Sequence, residues 1–432
     1  MKVKGLRWWI LALIVLVTII NYLDRNTLGI MWQEIVKDLH LVDAEPGSEE
    51  FKALSKQLFT TVNMIFMVAY GLSQFFSGRI YDKVGTRKGF TMSVLVWAVF
   101  DALTAFASGI KQIFGLRAAF GLGVAGPWPG VVKNNAEWFP QRQRALAQGF
   151  FNAGASIGAI LAPILIGVLF AAFGWKVTFI IIGMLGLLWI VPWLLVNKKG
   201  PQDHPWITDE EKQLIAAGQP ACGTKTARTR SYRELFSCRK SWSVILGRFF
   251  LDPIWWMFVS FLPIYLYEVH GMDVKSLAMT AWVPYVGAAV GSFAGGWFSG
   301  HLIRKGHSVN FSRKVAIVLG AVIVFPMLIL VASVKNPVAA VICMSVILFG
   351  FQFTMNNIQT IPSDLFAGRS VGSLAGLGGA AAAIGTICSM LFIPILTAGG
   401  NWAPFFIMGA LLVPLCVACI FIFGGKIESQ EK

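Results

Sequence analysis

The sequence predicts an all-α integral membrane protein whose twelve transmembrane helices form two pseudo-symmetric six-helix halves. Three observations carry that prediction. Apolar runs of about 20 residues, the length that crosses a bilayer, recur along the chain. Of the 432 residues, 56% are hydrophobic and only 13% charged, against roughly 25% charged in soluble domains. Trp175 and Trp402, Gly158 and Gly385, and Phe179 and Phe406 all match at a spacing of 227 residues. That fits parallel repeats related by an axis along the membrane normal. A barrel is excluded, because its strands would alternate in short segments where these runs are continuous.

The first six spans are placed at 7–32, 56–80, 88–108, 112–133, 143–171 and 177–197. The second six are placed at 241–268, 276–301, 314–333, 337–362, 370–398 and 403–424. The chain thereby divides into an N-terminal bundle (1–197), a cytoplasmic linker (198–240) and a C-terminal bundle (241–432). The first span lacks a small-residue cleavage site and reads as a retained helix rather than a signal peptide. An even number of spans puts both termini on one side. The loops opposite the termini hold only Lys37, Lys52, Lys56, Lys111, Lys176, Lys275 and Lys335 of the 36 basic residues. Basic residues concentrate on the cytoplasmic face, so the termini are expected there. The formal charge of +15 is then mostly an orientation signal, and no nucleic-acid partner is expected.

In the linker, "WITDEEKQLI" (206–215) gives Thr208 and Glu211 the spacing of a capping box ahead of an amphipathic surface helix. This segment reads as a tether. The six cysteines, Cys222, Cys238, Cys343, Cys388, Cys416 and Cys419, fall in helices or the cytoplasmic linker, so no disulfide is expected. Cys416 and Cys419 form a CxxC inside the last span with no accompanying His or second pair, which reads as packing. No Walker A loop, HExxH or His/Cys cluster is present. No metal, cofactor or enzymatic activity is therefore expected.

Charges inside the spans are the informative exceptions, since one at the bilayer centre costs on the order of 3 kcal/mol. "INYLDRNTL" (20–28) puts Asp24 and Arg25 side by side in span one. Adjacent helical residues point about 100° apart, so the two address different neighbours. The planar Arg25 fork suits a carboxylate, and a desolvated Asp24 suits a proton. A pair of buried interhelical salt bridges is the plainer alternative. Span three carries Asp101, and span four carries Arg117 in "GLRAAFGLGVAGPWPGVVK" (115–133). Arg117 is either a second cationic substrate contact or a packing ion pair. Pro127 and Pro129 should break span four, as is tolerated beside a cavity, and Lys133 should snorkel to the interface. In span seven, "LGRFFLDPIWW" (246–256) places Arg248 and Asp252 at i,i+4, able to pair locally, and Pro253 should interrupt the helix. Span ten offers Gln352, Asn356, Asn357 and Gln359 as donors and acceptors for hydroxyls, and span two offers Tyr70 as a cavity phenol.

The loop "SGRIYDKVGTRKG" (77–89) joins spans two and three, and "SGHLIRKGHS" (299–308) is its degraded counterpart. This pattern resembles the signature loop of the major facilitator superfamily. Asp82 then reads as a helix-end gating residue, with Gly78, Gly85 and Arg87 in the same turn. Nearly the whole chain resembles bacterial sugar-acid transporters of the anion:cation symporter family, hexuronate transporters above galactonate and glucarate transporters. The resemblance rests on "GLRWWILAL" (5–13), "NYLDRNTL" (21–28), "AEWFPQRQRALA" (136–147), "FNAGASIGAILAP" (151–163), "RFFLDPIWW" (248–256) and "SRKVAIVLGA" (312–321).

What the resemblance implies is proton-coupled uptake of a monovalent sugar acid across a bacterial inner membrane. Asp24 would match the protonatable aspartate, Arg25 the carboxylate-binding arginine, Tyr70 a substrate-contacting tyrosine and Arg117 an arginine linked to coupling. Family members usually carry a glutamate seven residues after that arginine, where this sequence has Val124. Either Asp24 then carries the proton alone, another acid such as Asp252 or Asp101 substitutes, or the coupling differs. Substrate contacts are expected from Arg25, Tyr70, Arg117, Arg248, Gln352, Asn356, Asn357 and Gln359. The expected partners are a sugar-acid anion, a proton and the lipid bilayer, with the protein a monomer. A proton-coupled exporter of amphiphilic compounds is the alternative, given 16 Trp and 13% aromatic residues.

Overall fold

Every described long segment of this chain is helical, because a lipid-immersed backbone must satisfy its own polar groups. The computed structural model describes residues 2–46, 48–218, 229–272, 280–366, 369–397 and 400–429. Cys222 and Lys275 lie outside the described residues. The helices are α1 (Leu6–Asp38), α2 (Glu49–Leu103), α3 (Ile110–Val124), α4 (Pro127–Trp138) and α5 (Gln141–Val196). The linker contributes α6 (Asp209–Ala217) and α7 (Tyr232–Ser237). The second half comprises α8 (Arg239–His270), α9 (Val283–Arg304), α10 (Val309–Val331), α11 (Pro337–Leu365), α12 (Val371–Leu396) and α13 (Ala403–Gly424).

At 55 and 56 residues, α2 and α5 are far longer than one bilayer crossing. Each turns at a glycine in the left-handed region, Gly85 (φ 83°) and Gly174 (φ 75°). Gly306 (φ 91°) and Gly400 (φ 78°) occupy the corresponding turns of the second half. A Cβ is disfavoured at such φ, which explains glycine at all four. Counting α2 and α5 twice and α3–α4 as one interrupted span gives the twelve-helix fold. Outward side chains such as Val168, Leu188, Leu391 and Ile395 are exposed apolar groups that lipid would cover.

The repeat is structural as well as sequential. Trp175 donates its indole N–H to Asp38 Oδ2 at 3.0 Å, and Trp402 donates to Glu268 Oε2 at 3.1 Å. Each indole thus ties the last span of a half to the far end of that half's first span. The Trp175 bond, with Lys176 beside it, holds the Asp38 carboxyl below the usual carboxylate range. Gly158 packs on Ile19 and Tyr22 of span one, and Gly385 on Phe249 of span seven, so each glycine lets two helices touch through backbone.

Three local expectations are corrected. Span seven runs uninterrupted through Pro253 from Arg239 to His270. The carbonyl of Phe249, which Pro253 deprives of its amide donor, is instead closely approached by Gly385. Lys133 does not snorkel; it is buried between Asp82 (3.4 Å) and Glu137 (3.2 Å), because two carboxylates replace its water. Thr208 caps α6 by accepting from Glu211 N at 3.3 Å, yet the reciprocal bond of a capping box is not made. Glu211 is used elsewhere: it accepts from Leu6 N (3.0 Å), Arg7 N (3.2 Å) and Arg7 Nη1 (2.6 Å) at the start of α1. The complete capping box is at Ser231 and Glu234, opening α7.

Val3 N donates to Trp206 O at 2.7 Å, and Lys240 Nζ donates to Lys426 O at 2.6 Å. Both termini therefore lie on the linker face. The halves meet there through span two against span eleven and span five against span eight.

Candidate functional site

Span one delivers its two adjacent charges to different surroundings. Asp24 is fully buried; Trp97 Nε1 donates to its Oδ2 at 3.0 Å, and Oδ1 has no partner among the described residues. Asp24, Asp101 and Arg117 interact electrostatically. Arg117 Nη1 stands 4.0 Å from Asp101 Oδ1. Two carboxyls facing one guanidinium leave one negative charge in excess when both are ionised, and one proton removes it. Val124 is buried in the apolar core.

Arg25 points the other way, into a cage of rings. Its guanidinium carbon lies 4.8 Å from the Tyr70 ring centroid, 5.0 Å from Trp128, 5.6 Å from Tyr22 and 5.7 Å from Phe66. Nε and Nη2 are buried without hydrogen-bond partners, and Arg25 has no ion pair among the described residues. Aromatic faces attract the guanidinium without occupying its in-plane N–H groups. Those donors remain free for a planar anion. Tyr70 is itself fixed, its hydroxyl accepting from Gln74 Nε2 at 2.9 Å.

Arg25 lines a cavity of about 830 Å³ with Tyr22, Asn26, Asn63, Trp256 and Tyr285, on the side away from the termini. A chamber of about 40 Å³ adjoins it, where Tyr70, Trp128, Arg248 and Asp252 join Arg25. Arg248 Nε donates to Asp252 Oδ2 and Nη2 to Oδ1, both at 3.0 Å. Span four helps shape this chamber as expected. Pro127 and Pro129 supply no N–H, so the helix is interrupted between Val124 and Pro127 while Ala125 and Gly126 keep helical dihedrals. Trp128 thereby sits at the start of the second segment, against Arg25.

The remaining candidates lie apart from the large cavity. Arg117 belongs to the Asp24 cluster. Asn357 Nδ2 donates to Gly295 O at 3.2 Å and Phe353 O at 3.0 Å, and Gln352 is buried with Oε1 unpartnered among the described residues. Asn356 and Gln359 join the two halves. Asn152 Nδ2 donates to Asn356 Oδ1 and, at 2.8 Å, to Gln359 Oε1, which also accepts from Gln148 Nε2 at 2.9 Å.

Below this polar band the linker face is closed. Asp82 accepts from Gly372 N (3.0 Å), Ser373 N (2.6 Å) and Ser373 Oγ (2.7 Å) at the start of span eleven. Burial pushes its carboxyl above the ordinary range, while Lys133 and those donors pull it back. Arg144 Nη1 donates to Ser363 O and lies 3.5 Å from Asp364 Oδ1, and Arg313 Nε donates to Asp364 Oδ2 at 2.9 Å. Arg87 Nη2 donates to Leu194 O at 3.2 Å, anchoring the Gly85 turn to span six. A Cβ built on Gly78 would stand 2.0 Å from Gly372 O. Gly78→Val is therefore expected to weaken closure by about 1–3 kcal/mol, as overpacking does. Cysteine labelling at a buried linker-side position such as Ala375→Cys should rise several-fold; unchanged labelling would refute the closure role.

Trp97, Trp128, Tyr22 and the Arg144–Asp364–Arg313 cluster were not predicted as site residues. Aromatic residues in apolar spans look like packing, and Asp364 sits at a span end where charge needs no explanation.

Comparisons agree with this architecture. Residues 14–381 match the Major Facilitator Superfamily. A hexuronate transporter of Escherichia coli K12 is 32% identical over 423 residues, covering 95% of this chain and 94% of the relative. A galacturonate transporter of Dickeya chrysanthemi is 32% identical over 325 residues, covering 74% and 90%. A probable galactarate/D-glucarate transporter of Escherichia coli K12 is 29% identical, covering 100% and 98%. Among solved structures, the proton:xylose symporter XylE shares the fold at a TM-score of 0.73 and 12% identity, covering 98% and 97%. The chain is thus a multi-pass membrane protein of the major facilitator superfamily, a family of transporters and not of enzymes.

Proposed function

We propose that the protein imports a sugar acid, a hexuronate or related aldonate, by proton symport across a bacterial cytoplasmic membrane. The observation that carries this reading is Arg25, a cation without an ion pair among the described residues that stands in a cavity deep within apolar helices. A buried charge left unpaired is costly, and a substrate carboxylate supplies the missing partner. The names of the hexuronate and galacturonate relatives support the same substrate class. The Asp24–Asp101–Arg117 cluster supplies a proton site one helix face away, which supports coupling through Asp24. Transport would proceed by rocking of residues 1–197 against 241–432, the linker face being cytoplasmic. The aromatic walls would also suit amphiphilic cations, but Arg25 repels them.

Purified protein in proteoliposomes should accumulate glucuronate or galacturonate when an inward proton gradient is imposed. Equal uptake with and without the gradient would remove proton coupling. Absence of uptake for every uronate and aldonate would remove the substrate assignment.

A further inference from the structure

We propose that Asp252 is a specificity residue that makes the cavity reject sugar acids carrying two carboxylates, by occupying from the protein's own chain the place a second substrate carboxylate would take. The inference rests on the sugar-acid reading and narrows it. Among the described lining residues of the cavity and its adjoining chamber, the charged side chains are Arg25, Arg248 and Asp252. Arg248 is held by Asp252 through Nε and Nη2, both carboxylate oxygens accepting at 3.0 Å. The geometry is the bidentate fork that a carboxylate of a bound diacid would make. Arg25 keeps Nε and Nη2 free. The site therefore presents one net positive charge, between aromatic walls from Tyr22, Tyr70, Trp128 and Trp255.

A monoanion neutralises this site. A dianion leaves one negative charge without a counter-ion in a narrow, largely buried chamber, and places it beside Asp252. Displacing Asp252 from Arg248 gives no relief, because the displaced carboxylate is then the unpaired buried charge. Aldonates and aldarates of one sugar differ only at the terminal carbon, hydroxymethyl in one and carboxylate in the other. Stereochemistry at the other carbons is shared, so the added charge is the main difference between them. Removing the Asp252 charge while keeping its size frees the Arg248 fork and raises the site to two net positive charges, which suits the dianion.

The test is a binding titration at one neutral pH, with galacturonate and galactonate as monoanions and galactarate as dianion, on the full-length protein in detergent. Wild type should bind a monoanion at least about 100-fold more tightly than galactarate, the scale of one unpaired buried charge. Asp252→Asn should lower that ratio at least tenfold, chiefly through tighter galactarate binding. Asp252→Glu, which keeps the charge, should retain a monoanion preference of at least tenfold. Galactarate binding to wild type within tenfold of the monoanions would overturn the proposal. So would an unchanged ratio in an Asp252→Asn protein that still binds a monoanion. If Asp252→Asn does not fold, loss of the preference in Asp252→Glu would overturn it equally. Wild type binding none of the three acids would overturn the sugar-acid assignment itself, a result distinct from loss of selectivity.

Discussion

Arg25→Ala is expected to abolish substrate-driven uptake and to weaken sugar-acid binding by at least about 30-fold. Removing one partner of a buried, hydrogen-bonded charge pair costs about 2–5 kcal/mol, and 1.4 kcal/mol is a factor of ten. Arg25→Lys should recover only part of the affinity. An ammonium is a point charge with no planar fork, and it fits the slot between Tyr70 and Trp128 poorly, where the guanidinium lies 4.8 and 5.0 Å from the ring centroids. Calorimetric titration with galacturonate decides the matter. An alanine variant that binds within threefold of wild type would remove Arg25 from the substrate site. The cage rings predict a graded companion effect, since Trp128→Leu removes one cation–π face and loosens the guanidinium without removing its charge.

Asp24→Asn should separate the proton from the sugar acid. Uphill accumulation driven by a proton gradient should fall to background, while exchange of labelled for unlabelled substrate across the same membranes should persist. The asparagine keeps an oxygen able to accept from Trp97 Nε1 and keeps the helix packing of a fully buried position. It cannot take up and release a proton. Asp101→Asn is the informative second variant, because Asp101 shares Arg117 with Asp24. If Asp101 contributes to coupling, its loss should move the pH dependence of uptake without abolishing exchange. Proton-driven accumulation that survives Asp24→Asn would place the proton elsewhere.

Much of the membrane architecture could be read from residue order because bilayer thickness and hydropathy speak directly to each other. The breaks in α2 and α5 follow from glycine-containing polar turns, and the interruption of span four from Pro127 and Pro129. The site was legible in part, for a different reason. A charge in an apolar span announces that it has a purpose, so Asp24, Arg25, Arg248 and Asp252 could be singled out. Periodicity then gives each side chain a direction around its own helix but not the identity of the helix it meets. That is why Lys133 was expected at the interface, although Asp82 and Glu137 bury it. Pro253 misled for a related reason: its missing bond is tolerated by a neighbour 132 residues away, Gly385. The span-ten amides stand out in the sequence for their chemistry, and the structure engages Asn356 and Gln359 with Asn152 and Gln148 in the present arrangement.

The surface between the halves has a kinetic consequence. A Cβ added at Gly78, Gly149 or Gly296 would lie 2.0, 2.4 or 2.4 Å from a carbonyl oxygen of the facing helix, so bare backbone slides on bare backbone there. Such a seam has few interlocking side chains whose rotamers must be undone before it parts. Resistance to separation is concentrated in polar ties, those of Asp82, Arg144 and Arg313 and the amide bonds of Gln148 and Asn152 to Asn356 and Gln359, and water can replace each as it breaks. Turnover should therefore be tunable at the ties while affinity for the cargo, set in the chamber around Arg25, stays where it is.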